Sequence, residues 1–184
     1  AASHAGVASC KVTCAAGTYV ASANAACTDV GSGYYTTASQ TISQGSIGSR
    51  SACSSLNAFY TASDSGRNAT TDCYGTTSSG KYVSTAKSGE VTCAAGGYCA
   101  GSVKVYYNST GGRTACGAGK YNASTGSSAS SACTNITAGC YGTSASSSCP
   151  AVCGANTYSD AGASACTSCD SDYANSGTDA ASHA

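Results

Sequence analysis

The chain has almost nothing from which to build an oily core. Leu56 is its only leucine and Phe59 its only phenylalanine, and it has no methionine and no tryptophan. Leu, Ile, Val and Phe together number 14 among 184 residues, far below the roughly 20% under which burial alone usually fails to order a chain. Burial yields about 25 cal/mol per Å² of apolar surface, while fixing a residue's backbone costs roughly 1–2 kcal/mol. The abundant Ala, Ser, Thr and Gly bring little area to offset that cost.

Charge is scarce as well. Only 9% of residues are charged and the net charge is zero. Such a chain has no electrostatic footprint for nucleic acid or anionic lipid. Nothing drives it to expand as a disordered polyelectrolyte either. It has no apolar run near the roughly 18 residues of a membrane span, so no direct membrane insertion is expected in this segment. No initiator methionine or signal peptide is present, which reads as a processed piece or a window on a longer protein. Histidine occurs only as His4 and His183. With little core to hold a water-excluding catalytic site, no enzyme is expected and no catalytic residue is assigned.

What the chain does have is cysteine. Fourteen cysteines could form up to seven bridges, each typically worth about 2–4 kcal/mol. Staples of this kind commonly replace a core in small folds. They persist in an oxidising environment, so the expected location is extracellular or at the cell surface. Cys166-Thr167-Ser168-Cys169 has the spelling of a zinc knuckle or redox pair. A zinc site wants four Cys or His ligands, and disulfide is the stronger reading. Asp160, Asp170 and Asp172 lack the Gly and Glu of a calcium loop. No metal and no cofactor is therefore assigned.

A short spelling recurs. It reads Cys14-Ala15-Ala16-Gly17-Thr18-Tyr19, Cys93-Ala94-Ala95-Gly96-Gly97-Tyr98 and Cys116-Gly117-Ala118-Gly119-Lys120-Tyr121. In Cys153-Gly154-Ala155-Asn156-Thr157-Tyr158, asparagine replaces the glycine. Gly33-Tyr34-Tyr35 and Gly80-Lys81-Tyr82 keep Gly-x-Tyr without the nearby cysteine. The chain reads as about five to seven degenerate units laid end to end. In each, cysteine anchors a turn, Gly (or Asn) supplies φ > 0, and the tyrosine is expected to lie over the disulfide with its hydroxyl in water. Short strands are expected at Tyr19-Val20-Ala21 and Val103 to Tyr107, paired as ribbons.

The expected fold is therefore small, disulfide-rich and mostly β or irregular. It would be an elongated series of tandem cysteine-rich modules with short β-ribbons and little or no helix. Four segments follow from cysteine density: a cysteine-rich module at 1–35, degenerate cysteine-sparse modules at 36–92, cysteine-rich modules with sequons at 93–148, and a last module with a junction at 149–184.

Two more patterns bear on function. Asn68, Asn108, Asn122 and Asn135 each open an N-x-S/T sequon, the acceptor for N-linked glycan in an extracellular chain. The Ser/Thr-rich stretches 124–131 and 143–148 are candidate O-glycan carriers. The pentapeptide Ala1-Ala2-Ser3-His4-Ala5 also returns as Ala180-Ala181-Ser182-His183-Ala184, an offset of 179 residues. This match reads as one period of a longer periodic object, with the pentapeptide as its junction.

The stretch from Cys149 to Gly177 resembles the ephrin-receptor-like modules of the growth-factor-receptor cysteine-rich superfamily. The resemblance rests on Cys153, Asn156, Tyr158-Ser159, Gly162, Cys166-Thr167-Ser168-Cys169, Tyr173 and Gly177. TNF-receptor first submodules look similar, and there the cysteines flanking Gly-x-Tyr pair with each other. That resemblance implies the pairs Cys14–Cys27, Cys116–Cys133 and Cys153–Cys166, with the remaining cysteines also paired. The overall texture is similar to protist surface proteins, such as ciliate immobilization antigens and the filament proteins of flagellar hairs (mastigonemes). The expected role is a structural subunit or repeat of a glycosylated extracellular filament that polymerises with itself head to tail. The alternative is a membrane-tethered surface antigen, adhesin or receptor ectodomain that binds its partner as a monomer.

Overall fold

The computed structural model describes residues 10–171 except 65 and 144. Both copies of the Ala-Ser-His-Ala junction, Asp172 and Tyr173 lie outside the described residues. Among those described there is no α-helix. Three 3₁₀ turns occur, at Cys53–Ser55, Thr70–Asp72 and Ser130–Ala132. The rest is short antiparallel ribbons and turns: every sheet has two strands except one of three, built from Ala62–Ser63, Cys73–Thr76 and Lys104–Tyr106. The fold is disulfide-rich and β/irregular, as the composition requires.

Two compact units share the chain. Among the described residues, one contains 10–76, 83–89 and 104–111; the other contains 77–82, 90–103 and 112–171.

Within each unit the module has a definite backbone rule. Three residues after an anchor comes the turn residue, at φ 83° for Gly17, 82° for Gly33, 74° for Gly80, 80° for Gly96, 71° for Gly119, 81° for Gly139 and 60° for Asn156. The anchors are Cys14, Val30, Thr77, Cys93, Cys116, Ile136 and Cys153 in the same order. Cysteine is thus one of several residues able to fill the anchor. What the anchors share is burial: none is more than 3% exposed.

Two hydrogen bonds join neighbouring modules. The anchor N–H donates to the turn carbonyl of the module before it: Val30 to Gly17 (3.1 Å), Cys53 to Gly33 (2.8 Å), Cys93 to Gly80 (2.8 Å), Cys116 to Gly96 (2.9 Å), Ile136 to Gly119 (2.9 Å) and Cys153 to Gly139 (2.9 Å). The turn N–H donates forward, to the residue that follows the next module's tyrosine. These bonds run Gly17 to Thr36, Gly80 to Cys99, Gly96 to Asn122, Gly119 to Gly142 and Gly139 to Ser159, at 2.7–3.1 Å. At Gly17, Gly80, Gly96, Gly119 and Gly139 the turn's buried donor and acceptor are thereby both satisfied by neighbouring modules, which is what a buried backbone requires. The two residues before an anchor form a ribbon with the preceding Gly-x-Tyr, as in Thr114–Ala115 on Gly97–Tyr98 and Ala151–Val152 on Cys140–Tyr141.

This rule corrects the expected role of tyrosine. Tyr19, Tyr35, Tyr82, Tyr98, Tyr121, Tyr141 and Tyr158 are all only half-buried. The residue after the tyrosine is the buried one: Val20, Thr36, Cys99, Asn122 and Ser159 are at most 7% exposed. The module core is therefore the anchor and this following residue, both small, with tyrosine packed along their flank. Small cores of this kind suit a chain with so little Leu and Phe.

Glycine at the turn does two jobs. At Gly119 an added Cβ would lie 1.8 Å from the carbonyl oxygen of Gly162, and φ is in the left-handed region. The same closure recurs at Gly17 against Gly66 (2.0 Å) and at Gly80 against Gly126 (2.6 Å). At position 156 asparagine satisfies the left-handed φ on its own.

Candidate functional site

Six disulfides hold the modules: Cys14–Cys27, Cys53–Cys73, Cys93–Cys99, Cys116–Cys133, Cys140–Cys149 and Cys153–Cys166. Cys14–Cys27, Cys116–Cys133 and Cys153–Cys166, the pairs implied by the receptor-module resemblance, are bonded. The expectation that all other cysteines pair is corrected at two positions. Cys10 and Cys169 are free. Cys166 is already bonded to Cys153, so Cys166-x2-Cys169 is neither a disulfide pair nor half of a zinc knuckle. Its spacing comes from the module. Cys27-Thr28-Asp29-Val30 and Cys133-Thr134-Asn135-Ile136 have the same layout, with a bridge cysteine followed three residues later by an anchor. Cys169 holds the anchor position, and its N–H donates to the Asn156 carbonyl at 2.9 Å.

Cys10 lies at the start of the ribbon Lys11–Cys14 on Gln40–Ser43. Its carbonyl accepts the Gln44 N–H at 2.8 Å, so its backbone is fixed while its side chain is exposed. A groove of about 280 Å³ opens beside it, with Val12, Val20 and Ile42 among its apolar lining and Lys11, Asn24 and Gln44 among its polar lining.

The sequons divide. Asn68 and Asn108 are exposed. Asn135 is also exposed, and its Oδ1 accepts from Lys120 Nζ at 3.1 Å, which leaves its amide nitrogen available. Asn122 is 3% exposed. Its Nδ2, the atom a glycan would take, donates to the Gly97 carbonyl at 2.7 Å, and its Oδ1 accepts from the Ser124 N–H at 3.0 Å. The structure thus corrects the Asn122 expectation: this asparagine is a core residue of the module, and its sequon follows from the turn it caps. Burial of the residue after tyrosine is the signal that would have told it apart.

A cluster of ionisable groups lies against the three-stranded sheet. Lys104 Nζ is 2.8 Å from Asp64 Oδ1 and 3.9 Å from the centre of the Tyr74 ring. Tyr106 donates its hydroxyl to the other Asp64 oxygen. The Lys104 and Tyr106 hydrogen bonds hold the Asp64 carboxyl below its usual range. The Asp64 bond in turn raises both Lys104 and Tyr106. An ionised carboxylate and a protonated ammonium, each with its partner in place, can brace a sheet. A second cation, Arg50, stacks between Tyr19 and Tyr34 at 4.9 and 3.7 Å and donates to the Val30 carbonyl. Among the described residues no group of three or more His, Cys, Asp or Glu is placed to hold a metal ion, and no helix is long and apolar enough to cross a membrane.

Compared with known proteins, the chain matches no family model, no curated protein and no solved structure. Six disulfides nevertheless define the broad class: an extracellular or secreted cysteine-rich protein.

Proposed function

We propose that this chain is a structural, non-catalytic subunit or repeat of an extracellular filament or surface appendage, polymerising with itself head to tail and carrying glycan at Asn68, Asn108 and Asn135. One observation carries the reading. Most modules join the next by the same two backbone bonds, one running forward and one back, with Thr77 and Gly33 as the exceptions (their N–H groups donate to the Val103 carbonyl and the Ser63 hydroxyl), and nothing in that rule closes the series. Architectures bonded only between nearest neighbours extend by repetition, and an unclosed head-to-tail contact generates a filament. Cys169 stands at an anchor, already bonded to the module before it, where a further module would begin. Glycan would offset the near absence of surface charge, since only 9% of residues are charged. The receptor-like spelling fits such a stalk equally well.

Electron microscopy of the native material tests this. The expected result is helical order, with an axial repeat built from one copy of this segment and non-protein density on the exposed sequon asparagines. Isolated particles with no end-to-end contact would overturn the filament reading and leave the membrane-tethered antigen or receptor ectodomain.

A further inference from the structure

The ribbon that carries Asn135 also borders a groove. Lys120–Tyr121 pairs with Thr134–Asn135, and Lys120 stands directly opposite Asn135 in register. Residues opposed in this way project their side chains from the same face of the ribbon, with Cβ atoms about 4.5–5.5 Å apart. There Lys120 Nζ donates to Asn135 Oδ1 at 3.1 Å. That bond takes up the oxygen of the exposed side-chain amide and leaves Nδ2, the atom a glycan takes, open on the same face. Gly162 comes close to this amide: an added Cβ would lie 3.2–3.4 Å from it. With glycine there, no side chain crowds the attachment point.

Lys120 also lines a groove of about 450 Å³, together with Tyr98, Ser130, Ser131 and the bonded pair Cys116–Cys133. The disulfide gives this groove a rigid frame. Ser130 and Ser131 are exposed on the 3₁₀ turn Ser130–Ala132. Gly117, also in the lining, has nothing within 4 Å of where its Cβ would stand, so that side stays open. Cys133 is two residues before Asn135, about 7 Å along an extended chain. The edge of the groove is therefore within reach of the first sugars on Asn135 Nδ2. An aromatic ring, two hydroxyls and an ammonium around a fixed frame suit a carbohydrate. A pyranose presents an apolar C–H face, which packs on the electron-rich face of an aromatic ring. Its hydroxyl and acetamido groups are partners for serine hydroxyls and a lysine ammonium. The volume is also that of a site for a small molecule.

We infer that this groove seats the glycan carried on Asn135, with its first sugars against the Tyr98 ring and their polar groups bonded to Ser130, Ser131 and Lys120. The seat rests on the glycosylated reading above, which supplies the attachment. The glycan on Asn135 is then an ordered part of the module, unlike those on Asn68 and Asn108. Tyr98 belongs to the module anchored at Cys93, and Lys120 to the module anchored at Cys116. A seated glycan thus ties two successive modules together and covers the Cys116–Cys133 bridge.

The test uses the whole glycoprotein with ¹³C-labelled glycans. Glycopeptide mass spectrometry first reports whether Asn68, Asn108 and Asn135 are modified. NMR should then show nuclear Overhauser contacts between the first sugars on Asn135 and the Tyr98 ring, with those sugar protons shifted upfield. The first sugar on Asn135 should have an order parameter near the roughly 0.85 of a rigid backbone, against less than about 0.6 on Asn68 and Asn108. Tyr98→Leu should abolish the contacts and lower the Asn135 value to that of the other two, while Tyr98→Phe retains both. If Tyr98→Leu does not fold, the exposed double substitution Ser130→Ala, Ser131→Ala should lower the order parameter in its place. A first sugar on Asn135 as mobile as the others, or one whose order survives Tyr98→Leu, would overturn the seat and leave the glycosylated filament standing. An unmodified Asn135 would overturn both the seat and the glycan assigned to that residue, while axial order in micrographs would still decide the filament.

Discussion

The two units solve the same shortage of apolar residues in different ways. The unit that contains residues 112–171 holds four of the six disulfides. Its buried positions are filled by Cys, Thr77, Ile136, Asn122 and Ser159, and its largest cluster is Ile136 with Cys140 and Ala145. The other unit has two disulfides and the chain's only leucine and phenylalanine. Tyr60 is fully buried with Cys53 and Cys73, flanked by Tyr35, Leu56, Phe59 and Tyr107. Phe59 and Tyr107 meet the Tyr60 ring edge-on at 5.1 and 5.2 Å, an arrangement that adds about 0.5–1.5 kcal/mol per pair beyond area. Cross-linking density and aromatic packing are thus exchanged between units. Where cysteines thin out, aromatics gather.

Reduction should break this comparison most strongly. Four bridges at about 2–4 kcal/mol each are comparable to the whole net stability of an ordinary domain. Dithiothreitol should therefore abolish hydrogen-exchange protection at the amides of Cys93, Cys116, Ile136 and Cys153. It should leave measurable protection around Tyr60 and Tyr74. Equal loss in both units would show that the aromatic cluster contributes no independent order.

The converse substitution is Tyr60→Ala, which removes the buried ring and its hydroxyl bond to the Ser88 carbonyl at 2.8 Å. It should cost about 3–5 kcal/mol and act only on the aromatic unit. Thermal melts followed residue by residue in NMR spectra would check this. Destabilisation of the Ile136 region by the same amount would mean that the units unfold as one.

Backbone geometry provides a finer test within the disulfide-dense unit. Gly119→Ala places a methyl 1.8 Å from the Gly162 oxygen at a left-handed φ, and should destabilise by at least about 2 kcal/mol. Gly117→Ala, two residues away, meets nothing within 4 Å and should stay within roughly 0.5 kcal/mol of the parent. Chemical denaturation with the disulfides intact would separate them. Equal midpoints would show that the closing carbonyl can move aside.

The smallest expected effect concerns charge. The Asp64 carboxyl is held below its usual value by Lys104 and Tyr106. Its contribution is therefore complete above roughly pH 4, the ordinary carboxylate pKa, and is lost as pH falls through the lower folded value. Lys104 is raised, so its contribution is complete below about pH 10, near the ordinary lysine pKa, and is lost as pH rises through the higher folded value. Asp64→Asn should lower Tm slightly at pH 7, and the gap should close near pH 2. A gap that persists at pH 2 would mean that packing, rather than charge, is responsible.

Much of the module was legible. The Cys-x-x-Gly-x-Tyr spelling located the anchors Cys14, Cys93, Cys116 and Cys153 directly, its Gly-x-Tyr remnant located the turns at Gly33 and Gly80, and the paucity of helix followed from Ser, Thr and Gly. Val30, Thr77 and Ile136 were not legible as anchors, because burial can be met by any small or β-branched side chain and the spelling tracked sulfur. Gly139-Cys140-Tyr141 was overlooked for the same reason. The sequon at Asn122 was legible as a sequon and misleading as a site, since the tripeptide does not record which way the amide points.

Sequence alone determined that this chain must be stapled, thin in core, nearly uncharged and repetitive. These properties are sums over residues, and no arrangement can change them. Tertiary structure decided which position of the repeat is buried, which asparagine is spent on its own backbone, and which two of the fourteen cysteines are left over. These depend on hydrogen bonds between modules about 20 residues apart, such as Gly96 to Asn122 and Gly119 to Gly142, and on the approach of one turn to the next. Neither can be read from local spelling.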